Sequence, residues 1–274
     1  MTPSQDFSGS PVQVLTKAAA VMDCFTIDSP VLNIGEVKRR SGLPPTTTAR
    51  LLQSLVAENL LEREGDNYRA GLRVLAWSAS AAAGSDLISL GAPLLDQLRD
   101  ETGETASLQV RNGAQRITVA TAESQRSIVC RTRVGGLMVM HAGASGKTFM
   151  AFDPAAFEAA VRAGLTRFTP STVTDRALLE KQLVDIRLAG VAVARDEREQ
   201  GLSSVASPIF GRGGRLVGTM AVSVPSFRLD EQCLPRMVDA TRRTAATLSA
   251  RLGHVPSVAG TAGENRAGPR SDRK

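Results

Sequence analysis

Histidine, cysteine and long apolar runs are scarce in this chain, and each shortage closes off a class of protein. The three cysteines, Cys24, Cys130 and Cys233, are odd in number and far apart, so they supply neither a disulfide framework nor a zinc spacing. The two histidines, His141 and His254, have no cysteine or glutamate at ligand spacing. Neither a metal nor a cofactor is called for. No run of eighteen apolar residues occurs, so no membrane-spanning helix and no membrane partner is expected. The first eleven residues are polar and lack an apolar signal segment, which makes a cytoplasmic protein the expectation.

What is present is ordinary in amount and unusual in arrangement. A chain of 274 residues exceeds the common single-domain size, and 42% apolar content is enough for two cores. The net charge of +6 invites a nucleic-acid reading. Residues 1–70, however, hold seven Lys and Arg against eight Asp and Glu, so any DNA contact must rest on local placement.

Residues 1–11 are polar and rich in Ser and Pro, and are expected to be disordered. Leu15, Ala18, Met22 and Phe25 then recur at helical spacing. Asn33 is an N-cap candidate for a second helix that stops near Ser41-Gly42. Pro44 and Pro45 open a third helix, where proline is tolerated because the first amides lack intrahelical partners. Ala49, Leu52, Leu55 and Val56 are its expected buried stripe. Glu62 to Arg69, turning at Gly65-Asp66-Asn67, read as a short hairpin.

This order of helix, helix, turn, helix and hairpin is how a small domain offers one helix to the major groove of DNA. Pro45, Thr46, Thr47 and Thr48 stand at that helix's N-terminus, with Arg50 one turn in. Three consecutive threonines are poor helix formers, so helix stability does not explain them. Their hydroxyls and the free first-turn amides suit phosphates, and their methyl groups suit thymine. Lys38, Arg39 and Arg40 end the preceding helix, and Asn67 to Arg69 form a wing tip. The competing reading is a winged helix that contacts protein.

From Leu72 to Asp100 the pattern is helical, broken at Gly84. Strands are expected at Ala106 to Arg111, Arg116 to Ala120, Ser127 to Val134 and Val191 to Arg195, with Asn112-Gly113 a hairpin turn. Helices are expected at Gly146 to Phe152, Pro154 to Ala163, Asp175 to Ala189 and Asp230 to Leu252. Ser204 to Phe210 and Leu216 to Val224 flank Gly211-Arg212-Gly213-Gly214, a second hairpin signal. The class is α+β. The tail, Pro256 to Lys274, is expected to be disordered.

At this point the chain resembles the IclR family of bacterial transcriptional regulators. The resemblance rests on Ile34 to Leu55 followed by Tyr68-Arg69-Ala70-Gly71, on His141-Ala142-Gly143-Ala144-Ser145-Gly146-Lys147-Thr148, and on Asp196 to Leu202 leading to Ala206-Ser207-Pro208-Ile209. It implies a winged helix-turn-helix (12–71), a linker helix (72–84) and a GAF-like effector-binding domain of mixed α/β content (85–254), with a tail at 255–274. It also implies a homodimer or dimer of dimers on double-stranded operator DNA, and a small-molecule effector, an organic or aromatic acid from catabolism. Carried over by position, the effector lining comprises Met138, Ala144, Ser145, Asp196, Leu202, Ser204, Ala221 and Ser223. Thr48-Ala49 and Thr148-Phe149 depart from the usual pattern.

Enzymatic readings fail on partners, so no residue is assigned as catalytic. A phosphate loop ending at Gly146-Lys147-Thr148 needs a glycine where His141 stands. Ser145 lacks a G-x-S-x-G frame and a separate base. A helix beginning near Ser145 would offer its first amides to a carboxylate, with the hydroxyls of Ser145, Ser204 and Ser223 beside it. Gly146 is read either as part of that site or as a close-packing residue, and Lys147 as a site residue or a surface charge. Two function classes remain: a ligand-responsive regulator, or a sensor with a protein-binding winged helix or a GAF-like enzyme of unknown reaction.

Overall fold

The computed structural model describes residues 12–255. The expectations for residues 1–11 and for Pro256 to Lys274 lie outside that range.

The N-terminal unit contains α1 (Gln13–Met22), β1 (Val31–Asn33), α2 (Ile34–Ser41), α3 (Pro45–Ala57), β2 (Leu61–Glu64) and β3 (Asn67–Ala70). Asn33 caps α2 reciprocally: its side chain accepts from the Glu36 amide at 3.0 Å, and the Glu36 carboxylate accepts from the Asn33 amide at 2.9 Å. Gly42 then ends the helix in the left-handed conformation. Val21, Val37, Leu52, Leu55, Leu61 and Tyr68 close the core. The wing is three-stranded and antiparallel, ordered β1-β3-β2. β1 was not foreseen, since three residues are too few to show a period of two.

α4 (Leu72–Ala83) follows and buries no residue. The C-terminal unit begins with α5 (Asp86–Thr102) and is built on an antiparallel sheet of β4 (Thr105–Asn112), β5 (Gln115–Ala122), β6 (Leu137–Val139), β7 (Ala192–Arg195), β8 (Leu202–Phe210) and β9 (Leu216–Pro225). Its order is β6-β5-β4-β9-β8-β7. α5 and α9 (Cys233–Arg251) pack on one face through Leu94, Leu98, Met237 and Leu248 against Val205 and Val222. On the other face lie α6 (Ala144–Phe152), α7 (Pro154–Ala163) and α8 (Arg176–Ala189). They bury Phe149, Met150, Phe157, Leu179 and Leu183 over Ala194, Ala206 and Ala221.

The strand expected at Ser127 to Val134 does not form. The free edge of β5 is taken further along, by β6 from Ile117 outward and by Gly135 and Gly136 bonding Thr118. Without a partner strand, the valine and isoleucine of this segment have no sheet to join, and Ile128 and Val134 are exposed. The segment crosses the sheet's rim as an irregular strap.

Candidate functional site

Two places in the molecule gather the residues singled out by sequence. The first is the front of α3. Thr46 and Arg50 are exposed and Thr47 is half-buried, all on the outward face behind Pro45. Gln53, three residues beyond Arg50, continues that face and was missed by the sequence reading; the i, i+3 spacing was its signal. Thr48 is corrected. It is fully buried, and its hydroxyl donates to the Pro44 carbonyl at 3.1 Å and the Leu43 carbonyl at 3.4 Å. It belongs to the stripe Thr48, Leu51, Leu52, Leu55, so it holds the turn and does not face outward; of the expected stripe, Leu52 and Leu55 are buried while Ala49 and Val56 are only half-buried.

Lys38 and Arg39 are exposed and, like Arg50, have no ion pair among the described residues. Arg40 differs from its neighbours. Its guanidinium donates to the Cys24 carbonyl at 3.1 Å and the Ser29 hydroxyl at 3.0 Å, tying α2 to the loop after α1. In the wing, Asn67 is exposed, but Arg69 is bound to Glu62 at 2.8 Å and Glu64 at 3.7 Å. The hydrogen bond it donates to Glu62 is the main reason the Arg69 guanidinium is held above its usual range. The wing is therefore self-neutralised, and the cationic contribution to the α3 front reduces to Lys38, Arg39 and Arg50.

The second place is a cavity of about 40 Å³ between the sheet and the start of α6. It exists because the facing strand positions are small. Ala194 opposes Ser204, Ser204 opposes Ser223, and Ser223 opposes Thr105, forming one row across four strands. Met138, Ser145, Leu202, Ser204, Ala221 and Ser223 all line it. Ala144 and Asp196 are corrected. Ala144, the first residue of α6, is buried in the core and contributes only its amide, which donates to the Ser204 hydroxyl at 3.1 Å. Asp196, at a φ of 55°, turns away; its carboxylate accepts from the Ser226 hydroxyl at 2.6 Å and the Gly201 amide at 2.7 Å. It closes the β7–β8 turn.

The next residue points inward. Glu197 accepts from the Gly143 amide at 3.1 Å and pairs with Lys147. Lys147 is only 2% exposed, so the surface-charge reading is wrong. Its ammonium also donates to the Gln182 side chain at 2.8 Å. Gly146 is a close-packing glycine: a Cβ there would collide with the Met140 carbonyl.

The cavity's most charged wall was not foreseen. Arg116 on β5 is 4% exposed and lines the cavity from beneath. Its guanidinium donates to the Gln109 side chain at 2.9 Å, to the Ala142 carbonyl at 3.1 Å and to the Val139 carbonyl. All of these acceptors are neutral. Burial, and then the nearby Arg198, push the Arg116 guanidinium down to about 9, with Glu197 opposing. It is still a cation at neutral pH. Gly143, at a φ of 103°, gives it room, since a Cβ would sit 3.1 Å from the guanidinium. The buried amides of Ser145 and Gly146, second and third in α6, have no acceptor among the described residues.

The strap forms the rim. Thr132 lines the cavity, and Arg133 reaches Asp28 of the N-terminal unit at 3.6 Å. A roomier cavity of about 400 Å³ lies between α5 and α9. Two of its arginines, Arg126 and Arg228, are already spent on the buried carboxylate of Glu104, at 3.0 and 2.6 Å. Among the described residues no three His, Cys, Asp or Glu side chains gather as a metal site requires.

A helix-turn-helix unit joined by a helix to an α/β unit is the build of a regulator of transcription. The family description "Bacterial transcriptional regulator IclR C-terminal" matches residues 79–250, and "IclR helix-turn-helix domain" matches residues 14–65. The chain belongs to the IclR family of transcriptional regulators. It is 31% identical over 242 residues to the HTH-type transcriptional regulator BhcR of Paracoccus denitrificans, covering 87% of this chain and 86% of that one. The IclR transcriptional regulator of Alicyclobacillus acidocaldarius superposes with a TM-score of 0.79 at 25% identity, over 88% of this chain and 99% of that one. An IclR homolog of Microbacterium hydrocarbonoxydans, solved in complex with 4-hydroxybenzoate, shares the fold with a TM-score of 0.72 at 23% identity, over 88% of this chain and 99% of that one.

Proposed function

We propose that this regulator binds a pseudo-palindromic operator as a homodimer and changes its hold on DNA when a small organic acid enters the β8–β9 cavity. In this reading residues 12–71 read DNA, 72–84 connect, and 85–254 sense the effector in the cytoplasm, with a catabolic operon as the target. One observation carries the acid: a buried arginine with only neutral partners stands beside two helix amides that lack acceptors. An anion supplies the charge and the acceptors together.

The dimer is supported by what α4 leaves uncovered. Leu72, Leu75 and Trp77 are 73, 66 and 55% exposed, and Leu15 of α1 is 67% exposed. An apolar helix with no buried residue requires a partner, and a palindromic operator supplies a reason for a second copy. No helix among the described residues is long and apolar enough to cross a membrane.

The effector acts by population shift: it moves the dimer only as far as it prefers one spacing of the two α3 helices. Footprinting on the region upstream of the gene, with and without added acids, tests the whole reading. With Lys38, Arg39 and Arg50 in each of two copies, the logarithmic salt slope of binding should be about −5. Arg50→Ala should reduce it by about 2 while leaving acid binding intact. Sequence-independent binding alone, or retention of operator affinity in Arg50→Ala with Thr47→Ala, would refute it and favour a protein-contacting winged helix.

A further inference from the structure

The charges around the effector cavity do not cancel. Glu197 is the single carboxylate among its lining residues, and Lys147 already matches it. That leaves two lining cations, Arg116 beneath and Arg198 at the half-buried mouth. Arg198 has no hydrogen bond or ion pair among the described residues, and Arg116 has only neutral acceptors. The two repel each other, and the N-terminus of α6 adds further positive potential between them. Holding two unmatched cations so close is costly unless something anionic completes the set.

The space is small. Each water needs roughly 10–15 Å³ of such volume, so 40 Å³ holds about three waters. A cavity that accepts benzene is about 150 Å³. The enclosed part therefore takes one carboxylate and a short aliphatic stem, not an aromatic ring. The open side leads past Thr132 to Arg198, which also borders the groove next to Asp28. Asp28 itself is matched by Arg133.

We infer that the effector is a short aliphatic dicarboxylate. One carboxylate sits between Arg116 and the amides of Ser145 and Gly146, and the other lies against Arg198 at the mouth. The inference rests on the reading of this cavity as the effector site and deepens it by fixing the ligand's charge and length. Arg198 becomes the residue that selects two acidic ends over one, and Arg116 the residue that anchors either kind.

Thermal-shift and calorimetric titrations of the full-length protein test it, using oxalate, malonate and succinate against acetate, propionate, benzoate, sulfate and inorganic phosphate. At least one dicarboxylate should bind tenfold or more tightly than every monocarboxylate and both inorganic anions. Arg198→Gln should erase that preference by weakening the dicarboxylate tenfold or more and the monocarboxylates much less. Arg116→Gln should weaken all acids; because that side chain is buried and could matter for folding, the partly exposed Arg198 variant carries the test. Equal binding of mono- and dicarboxylates by the parent protein overturns the inference, as does an equal loss of both in Arg198→Gln. Sulfate or phosphate binding as well as malonate overturns it too, marking a bare anion site. In the first two cases acid binding that is abolished by Ser145→Trp leaves the effector reading standing. Absence of any acid binding, or acid binding that Ser145→Trp leaves unchanged, removes both.

Discussion

Replacing Lys147 by methionine tests whether the buried ion pair organises the effector cavity. Lys147 is 2% exposed and Glu197 7% exposed, so neither charge has much water to fall back on. Removing the lysine leaves a carboxylate between the Gly143 amide and a low-dielectric interior. Breaking one half of such a pair costs about 3–5 kcal/mol. For a unit of this size each kcal/mol lowers the melting temperature by roughly 2–4 °C, so a fall of about 6–20 °C is expected. The double variant Lys147→Met with Glu197→Leu removes both charges and loses the hydrogen bonds to Gly143 and Gln182, each worth about 1 kcal/mol. It should therefore lie within about 2 kcal/mol of the parent. Urea denaturation of the four proteins of this double-mutant cycle, followed by circular dichroism, gives the coupling energy directly. A single-variant loss below about 1 kcal/mol, or a double variant as damaged as the sum of the singles, refutes the argument.

Thr48, Gly146 and Cys130 give three further outcomes. Thr48→Val should cost about 1 kcal/mol by losing the hydroxyl bond to Pro44, and Thr48→Ser should recover most of it in thermal melts. A loss of operator contact without loss of stability would instead return Thr48 to the DNA face. Gly146→Ala should destabilise by about 2 kcal/mol or more, because the carbonyl it strikes is backbone and cannot swing aside; a melt unchanged from the parent contradicts this. Burial, and then Glu104, push the Cys130 thiol up to about 11. Its alkylation by iodoacetamide should rise about tenfold per pH unit through pH 10, and a rise that levels off by about pH 9.5 would show an ordinary thiol.

The reading head was largely legible in sequence because its signals are local. A capping asparagine, a glycine stop, a double proline and a polar hairpin each act within a few residues. What misled was parity. Thr48 looked like part of a threonine front, yet the spacing to Leu51, Leu52 and Leu55 already put it on the buried stripe. Asp196 and Glu197 are adjacent, and only the positive φ at Asp196 decides which of them faces the cavity. The serines of β8 and β9 were placed by resemblance, and the register later brought them opposite one another. Arg116 escaped notice because its neighbours come from far away: the β4 side chain of Gln109, the β6 carbonyl of Val139 and the turn carbonyl of Ala142. A charged residue two positions from buried Thr118 on a β-like run was the trace it left. The strap at Ser127 to Val134 shows the opposite error, strong strand preference with no edge to pair.

The row of Ala194, Ser204, Ser223 and Thr105 has a consequence for how such a sensor changes its taste. The opposite face of the same strands is filled by Val205 and Val222 against α5 and α9. Stability and selectivity are thus written on alternate positions of one strand pair. Lengthening or shortening a side chain in the row alters the ligand's room while the packed layer behind it stays intact. A lineage carrying this sheet could drift among substrates by single substitutions without passing through an unfolded ancestor.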